Sequence, residues 1–508
     1  MSYNHILKKI NQVFNFEKAE SYKLSPEIEL YTAVCTMALQ PKFYETPMEQ
    51  VERIAKLVTM VDHMFVAKLA IYARKEMYLR SVPLLLVVEL AKIHKGDDLV
   101  SRTVEQVVMR ADEIMELLMC YQWRNPQKGE KKLCKLSHQI QIGLQKAFNK
   151  FDEYEFGKYN SNNLEVKLRD ALFIVHPKAK DYEQQKIFNK ITWKTLKTPY
   201  TWETELSAIG QHKYTDKESK DNAFKEKWEE LIQSGRLGYM ALLRNLRNIL
   251  NVNVDDECIN IVTKQLTDPN EVLRAKQFPF RYLSAYKELK NVRSFNTPAL
   301  LTALEKAVNT CAEKITGFSN KTRVMISCDM SGSMVQPISL QSKMHYYEVG
   351  IMLAMLLKNR CDKVITGIFG DEWKVINLPQ ENILSNTCET IQRIGEVGFN
   401  TYGCKPIDWL IKEKIVVDKV MFFTDCQFWG DDEFGKHFIN FWNTYKKISP
   451  NAHLYLFDLA GYGYSPIRIP RQDVTLIAGW SDRIFEMMDC IENGEDIINR
   501  DIKCGVQF

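Results

Sequence analysis

The chain has 508 residues, of which 45% are hydrophobic and 26% charged, and a net charge of +4. At roughly 100–200 residues per domain, this length predicts two or more domains. The sequence has no uncharged apolar run near the roughly 18 residues that a membrane helix needs. The N-terminus also lacks the apolar core of a signal peptide. These features argue against a membrane-embedded or secreted chain, and we expect a cytoplasmic protein.

Cysteine usage and charge narrow the possible functions. The 12 cysteines include no CxxC pair, so a zinc ribbon has no support, and a reducing setting is expected. From residue 321 onward, 20 Lys and Arg stand against 24 Asp and Glu, whereas the first 320 residues hold 48 and 40. This N-terminal excess suggests a polyanionic partner. A solvated helical surface would explain the same excess, and the two interpretations stay open at this point.

The first part of the chain is predicted to be helical. Apolar residues recur at spacings of three and four in residues 28–39, 51–60, 67–77, 83–93 and 104–119. Short polar turns separate such segments, as at residues 95–98 and 267–270, and strand signals are scarce before residue 320. Successive helical hairpins predict an α-solenoid of HEAT type. An irregular helical bundle is the alternative.

The pattern changes after residue 321, where short runs rich in Val, Ile and Phe alternate with helical segments. We predict strands at residues 323–328, 364–369, 373–377, 419–424, 453–459 and 473–477. Helices are predicted at residues 343–357, 387–394, 406–414, 433–442 and 483–490. The alternation indicates a mostly parallel sheet with helices on both faces, with strand 373–377 antiparallel at an edge. We therefore divide the chain into domains 1–320 and 321–508.

Polar side chains gather at the carboxyl ends of two predicted strands. The run DMSGS follows the first strand and supplies Asp329, Ser331 and Ser333, whereas Asp425 directly follows strand 419–424. Thr401 lies in a loop between them. Ligands of open α/β sheets bind at this edge, and hydroxyl and carboxylate oxygens suit Mg²⁺. We therefore predict a divalent cation, Mg²⁺, at this edge.

The DMSGS run fits other kinds of site less well. A nucleophilic serine lacks the GxSxG elbow and a histidine in a recognisable setting. A phosphate-binding loop of the GxxxxGK[ST] type is absent. A helix cap explains one of these residues, but it does not explain the match with Thr401 and Asp425. No acid–base pair or nucleophile stands out, so we expect a protein that is not an enzyme.

Both halves of the chain resemble known modules. The five residues Asp329, Ser331, Ser333, Thr401 and Asp425 resemble the DxSxS…T…D metal-ion-dependent adhesion site of von Willebrand factor A domains. That resemblance implies a doubly wound α/β domain whose bound metal takes a carboxylate from a partner protein. The segments KLRDALFIVHPK (167–178) and GYMALLRNLRN (238–248) resemble the TROVE module of the Ro autoantigen ribonucleoproteins.

The TROVE resemblance implies a ring of HEAT-like helices that binds small structured noncoding (Y-like) RNAs and single-stranded 3′ ends of misfolded RNAs. It also implies RNA contacts for Lys158, Tyr159 and His176, and we predict Arg169 and Lys178 of the same segment with them. Cations attract phosphates, so we add Arg124, Lys131, Lys132, Lys135 and Arg244. For Asn245 we expect a structural role.

We expect the protein to be a monomer. The sequence supports two hypotheses for its function. The first is an RNA-binding protein of the Ro type that acts in noncoding-RNA stability or quality control. The second is a protein-interaction scaffold whose metal site recruits an acidic partner. Residues 160–163 (NSNN) favour the scaffold, because the Ro family often carries further basic residues there.

Overall fold

The computed structural model describes residues 12–37, 42–126, 135–160, 164–275, 277, 279–313, 321–338, 342–361, 363–429, 437–469, 471–479 and 502–507. These residues form two compact units. The helical unit comprises Pro26–Cys35, Met48–Thr204 and Glu495–Phe508. The mixed unit comprises Met1–Ser25, Thr36–Pro47 and Glu205–Gly494. The division into domains 1–320 and 321–508 stays a prediction from the sequence.

The helical unit consists of consecutive α-helices joined by short links. They are α1 (Pro26–Cys35), α2 (Pro47–Val58), α3 (His63–Lys75), α4 (Ser81–Ile93), α5 (Leu99–Val107), α6 (Ala111–Arg124), α7 (His138–Phe148), α8 (Glu153–Lys158), α9 (Leu168–Val175) and α10 (Tyr182–Trp193). Helix α11 (Trp202–Gln211) crosses the boundary between the units. The leucine and valine stripes of α3 to α6 are buried, as their helical spacing predicts. The helical prediction is confirmed for these segments, whereas ring closure stays a prediction.

The predicted helix at residues 104–119 was wrong, because two helices occupy this stretch. Arg110 is extended, and the Glu113 carboxylate accepts hydrogen bonds from the backbone N–H groups of Met109 (2.7 Å) and Arg110 (3.0 Å). In a continuous helix these two N–H groups would donate to backbone carbonyls of the preceding turn. Because they donate to the Glu113 side chain instead, a new helix, α6, begins here. Apolar spacing alone did not reveal this break.

The mixed unit contains helices from before residue 320 together with the α/β sheet. Its helices are α12 (Lys217–Gln233), α13 (Tyr239–Asn251), α14 (Asp256–Thr267), α15 (Pro269–Ala275), α16 (Pro279–Leu289), α17 (Thr297–Glu313), α18 (Tyr346–Arg360), α19 (Ile383–Ile391), α20 (Cys404–Lys412) and α21 (Phe438–Ile448). A partly buried ion pair joins Lys287 of α16 to Glu348 of α18 at 2.6 Å. Glu305 of α17 also accepts hydrogen bonds from the first N–H groups of α19. These helices and the sheet therefore share one core.

The mixed unit holds a six-stranded sheet. Its strands are β3 (Arg323–Asp329), β4 (Lys363–Phe369), β5 (Trp373–Val375), β6 (Lys419–Thr424), β7 (His453–Asp458) and β9 (Val474–Ala478), in the spatial order β5-β4-β3-β6-β7-β9. All neighbours are parallel except β5, which pairs antiparallel with β4 at the edge. The predicted sheet and its antiparallel edge are confirmed. The predicted helix at residues 483–490 lies outside the described residues.

A second, three-stranded sheet was not predicted. It joins β1 (Gln12–Phe14), β2 (Glu20–Lys23) and β8 (Tyr464–Ser465) in the order β1-β2-β8, and both pairings are antiparallel. Strands of two to four residues carry too short an alternation to be recognised from the sequence. The N-terminal hairpin thus packs on the loop that follows β7. Within the described part of the chain, no helix is long and apolar enough to cross a membrane.

Candidate metal centre and nucleic-acid interface

The predicted metal residues lie at the centre of the six-stranded sheet. From β3 the chain runs first to β4 on one side and then to β6 on the other, so the strand order reverses between β3 and β6. A crevice opens at the carboxyl ends of strands at such a point. Asp329 ends β3, and Asp425 comes directly after β6. The fold therefore places both carboxylates at the edge that the sequence predicted.

The first loop is organised around Asp329. Its Oδ1 accepts a hydrogen bond from the Ser331 N–H (2.9 Å), and its Oδ2 accepts one from the Thr424 hydroxyl (2.5 Å). A 3₁₀ turn (Gly332–Val335) follows and places the Ser333 hydroxyl 3.3 Å from that of Ser331. All of these site side chains are buried. Thr424 was missed in the sequence because it belongs to an apolar strand.

The second loop carries Thr401 and is fastened to the first. The Gly332 N–H donates to the Phe399 carbonyl at 2.8 Å, and the Trp429 N–H donates to the Thr401 carbonyl at 2.8 Å. Asp371 accepts hydrogen bonds from the Phe399 N–H and the Asn400 amide. The three loops are thus tied together through their backbones, and Thr401 is buried among them.

The third loop presents an unpaired carboxylate oxygen. Asp425 Oδ1 accepts the Gln427 N–H at 3.0 Å, whereas its buried Oδ2 accepts no hydrogen bond of ordinary geometry from the described residues, although the nearby Ser333 side chain lowers the pKa of this carboxyl. The next residue, Cys426, has a φ of +61°, which is uncommon for a residue with a Cβ. Strained backbone of this kind concentrates at functional sites.

The electrostatics of these carboxylates fit a cation. Burial raises the pKa of Asp329, and burial together with the neighbouring Asp329 raises the pKa of Asp425. A third carboxylate, Asp458 at the end of β7, contributes to the latter shift and was not predicted as a site residue. Two buried carboxylates with an unsatisfied oxygen are costly without a counter-charge. The hydroxyl and carboxylate donors fit Mg²⁺, which stays a prediction.

Arg124, one of the predicted RNA-binding residues, is engaged within the helical unit. Its guanidinium forms ion pairs with Glu52 at 2.6 Å and Glu89 at 2.5 Å. Its side chain is only 11% exposed. In the structure, Arg124 therefore links α6 to α2 and α4 through ion pairs.

Other predicted RNA-binding residues of this unit are exposed and accompany aromatic rings. Lys158 lies over the rings of Tyr154 and Tyr159 at 5.9 and 5.5 Å, and Arg169 lies over the exposed Phe173 ring at 5.3 Å. The Tyr159 ring is also covered by Arg110 at 4.3 Å. Cations beside exposed aromatic rings form a surface that suits nucleic acid, because phosphates and unpaired bases can both be bound.

His176 and Lys178 lie just past the end of α9. His176 is the C-cap of this helix with a φ of +50°, so the chain turns away there, and both side chains are exposed. The carbonyls of His176 and Lys178 accept hydrogen bonds from Gln145 and Asn149 of the neighbouring segment. Lys135 is exposed as well. Lys131 and Lys132 lie outside the described residues.

Arg244 lines a cavity of about 470 Å³ between α13 and α16, together with Arg247, Arg281 and Lys343. Arg247 and Lys343 form ion pairs with Glu288 at 2.6 and 2.8 Å. Arg244 and Arg281 form no ion pair with any described carboxylate. Partial burial and the neighbouring Arg244 lower the pKa of Arg281. The sequence did not single out Arg281, because nothing in it shows that α16 packs on α13.

Asn245, the neighbour of Arg244, is buried. Its Nδ2 donates to the Ala241 carbonyl at 2.9 Å, and its Oδ1 accepts from Asn248 at 2.9 Å. The predicted structural role of Asn245 is confirmed.

Similar proteins have been described in bacteria and mammals. Residues 36–227 and 195–318 match the TROVE domain, and residues 323–455 match the Ro60 vWA domain. The RNA-binding protein RO60 of Deinococcus radiodurans is 26% identical over 207 residues, which cover 38% of each chain. Telomerase protein component 1 of Rattus norvegicus and of Mus musculus is 35% and 34% identical over 99 residues, or 20% of this chain and 3% of those proteins.

The architecture is also shared with a solved structure. The crystal structure of the Deinococcus radiodurans RO (RSR) protein superposes with a TM-score of 0.59 at 18% identity, covering 93% of this chain and 100% of that one. This likeness concerns the fold. Because the TROVE matches alone cover more than half of the 508 residues, the chain belongs to the TROVE family, with a Ro60-type von Willebrand factor A domain after the TROVE region.

Proposed function

We propose that this protein binds RNA in the manner of the Ro proteins. Its ligands are small structured noncoding RNAs of the Y type and single-stranded 3′ ends of misfolded RNAs, and its role lies in RNA stability or quality control. Membership in the TROVE family supports this proposal, as does the similarity to the bacterial RO60, an RNA-binding protein. We further propose a cytoplasmic, monomeric protein without catalytic activity.

The observation that carries the RNA proposal is the pair Arg244 and Arg281. Arg244 and Arg281 have no carboxylate partner among the residues that the structure describes, and their like charges repel, so an anion in the cavity removes an unfavourable interaction. Phosphate accepts bidentate hydrogen bonds from arginine. The cavity lining also includes Met240 and Leu243, so it offers apolar as well as charged surface, which suits a nucleotide. We therefore assign a phosphate of a single-stranded RNA end to this pair.

RNA affinity should be measured by filter binding over a salt series, with a structured RNA that has a single-stranded 3′ tail. The variant Arg244→Gln/Arg281→Gln should bind more weakly, and the magnitude of its slope of log K against log salt should fall by roughly 0.7, the value for one phosphate contact on a single strand. The matched control is Arg274→Gln, an exposed arginine that pairs with Glu271. A salt-independent affinity of the unchanged protein would refute RNA binding. Equal slopes for all three proteins would refute the role of the arginine pair.

A second candidate function is a metal-dependent scaffold that recruits an acidic partner. The buried, unsatisfied Oδ2 of Asp425 favours it. When bound, a divalent cation would supply a Lewis-acidic position for a carboxylate, and Asp329, Ser331, Ser333, Thr401 and Asp425 would hold it. Pull-down of partners with and without EDTA, compared with Asp329→Ala, tests this candidate. An unchanged set of partners would rule out the metal site as a recruiting device.

A further inference from the structure

The tip of the N-terminal hairpin lies on the metal site. Residues 15–19 form the turn between β1 and β2. The Asn15 N–H and the Ala19 carbonyl are hydrogen bonded at 2.9 Å, and the Asn15 side chain accepts the Ala19 N–H at 2.9 Å. Lys18 adopts a φ of +60°. This tight turn fixes Phe16 and Glu17 at the tip.

Two hydrogen bonds tie the tip to the loop that carries Asp425. The Asn15 amide donates to the Phe428 carbonyl at 2.8 Å, and the Phe16 N–H donates to Gln427 Oε1 at 3.2 Å. The Gln427 N–H in turn donates to Asp425 Oδ1 at 3.0 Å. Gln427 therefore links the hairpin backbone directly to Asp425, a predicted metal ligand.

Tyr44 forms a second link from the hairpin to the site. Its hydroxyl donates a hydrogen bond to the Glu17 carboxylate. Burial, Glu17 and the charge of Asp425 raise the pKa of Tyr44, and the Ser333 side chain lowers it, so this hydroxyl lies beside the predicted site. The Glu17 carboxylate is thus one hydroxyl group away from a predicted ligand of the cation.

Packing fixes both the hairpin tip (residues 15–19) and the segment 42–44, which together form a cap over the metal site. The Phe16 ring stacks on Tyr44 at 5.0 Å and meets Tyr462 and Tyr464 edge to face at 5.6 and 5.5 Å. The buried Lys42 donates to the Ala460 carbonyl. Strand β2 pairs with β8, so the loop after β7 is held between the hairpin and the sheet. The cap is therefore part of the fold of the mixed unit.

These contacts change what the metal site can recruit. All five predicted ligands are at most 5% exposed, so an external carboxylate meets the hairpin tip before it meets the site. We propose that Glu17 is the chain's own carboxylate ligand for the cation, held in place by Tyr44, and that it takes the position of an external acidic partner. This inference rests on the cation proposed above. It predicts that a partner must displace the tip in order to bind.

The experiment is a titration of the full-length protein with Mn²⁺ as the probe, with free ion read by electron paramagnetic resonance. Glu17→Gln should weaken Mn²⁺ binding by at least about 10- to 100-fold, the range seen when a hydrogen-bond partner of a metal ligand is removed. Tyr44→Phe should weaken it in the same direction. Glu20→Gln removes a charge from the same hairpin, where Glu20 pairs with His437, and should leave the affinity unchanged. Circular dichroism verifies the fold of each variant.

A second measurement separates a ligand from a merely structural residue. Millimolar acetate should restore Mn²⁺ affinity to Glu17→Ala, whereas it should leave the unchanged protein unaffected because its position is filled. If the unchanged protein binds Mn²⁺ and Glu17→Gln binds it equally well, the Glu17 proposal is wrong while the metal site stands. If the unchanged protein binds no more Mn²⁺ than Asp329→Ala does, both the Glu17 proposal and the proposed metal site are wrong.

Discussion

The substitution Glu113→Ala should be among the most destabilising single changes in the helical unit. Glu113 is fully buried, its Oε1 lies 2.7 Å from the Arg74 guanidinium, and its Oε2 caps α6 through the Met109 and Arg110 N–H groups. Removing one partner of a buried ion pair costs about 3–5 kcal/mol, because the other charge remains buried. Loss of the cap adds about 1 kcal/mol. The expected decrease in the free energy of unfolding is therefore about 4–6 kcal/mol.

Urea unfolding followed by far-UV circular dichroism measures this decrease. The matched control is Glu116→Ala in the same helix, whose carboxylate pairs with the partly exposed Arg80. An ion pair of that kind contributes about 0–1 kcal/mol. Combining Glu113→Ala with Arg74→Met should recover part of the loss, since no unpaired charge is then left. A decrease for Glu113→Ala no larger than that for Glu116→Ala would refute the reasoning.

Three further predictions concern the site and its surroundings. Magnesium should raise the Tm of the unchanged protein but not that of Asp425→Asn. In EDTA this variant should be the more stable protein at alkaline pH, and the difference should shrink as the pH falls. The reason is that burial and Asp329 raise the pKa of Asp425, so its ionisation costs increasing stability as the pH rises from the ordinary carboxyl range to the raised pKa; equal Tm values at every pH would contradict this. Gly370→Ala should lower the Tm, because a Cβ there would lie 2.7 Å from the carbonyl oxygens of Val397 and Gly398, whereas Gly238→Ala meets no atom within 4 Å and serves as the control. Arg124→Gln should lower the Tm through its lost ion pairs but leave RNA affinity in filter binding unchanged, and an affinity loss equal to that of Arg244→Gln would contradict this role.

The sheet and the metal residues were predictable because their signals are local. Strands β3 and β6 are continuous apolar runs, and Asp329 and Asp425 end them, so the parallel arrangement alone places both carboxylates at one edge. The antiparallel β5 was predictable from its short link to β4. In each case the information lay within a few residues of the feature.

The parts that were missed depend on contacts between distant segments. The break between α5 and α6 depends on the side chain of Glu113, which apolar periodicity does not register. Arg281 lies beside Arg244 in the cavity only because α16 packs on α13. The hairpin over the metal site has strands of three and four residues, too short for an alternation to be recognised. Arg124 was predicted to contact RNA from its charge, and that contact stays a prediction, but its ion pairs with the distant Glu52 and Glu89 could not be predicted from the sequence.

The hairpin also has a consequence for how the protein is made. Asn15 and its partner Phe428 are 413 residues apart in the chain, and β2 completes its sheet only with Tyr464 and Ser465. During synthesis the hairpin therefore leaves the ribosome long before its binding surface exists. Contacts of such high sequence separation form late, because the entropy of closing the intervening chain must be overcome first. The hairpin is thus translated well before its binding surface and docks late, so the carboxylates at the centre of the sheet are covered late in folding.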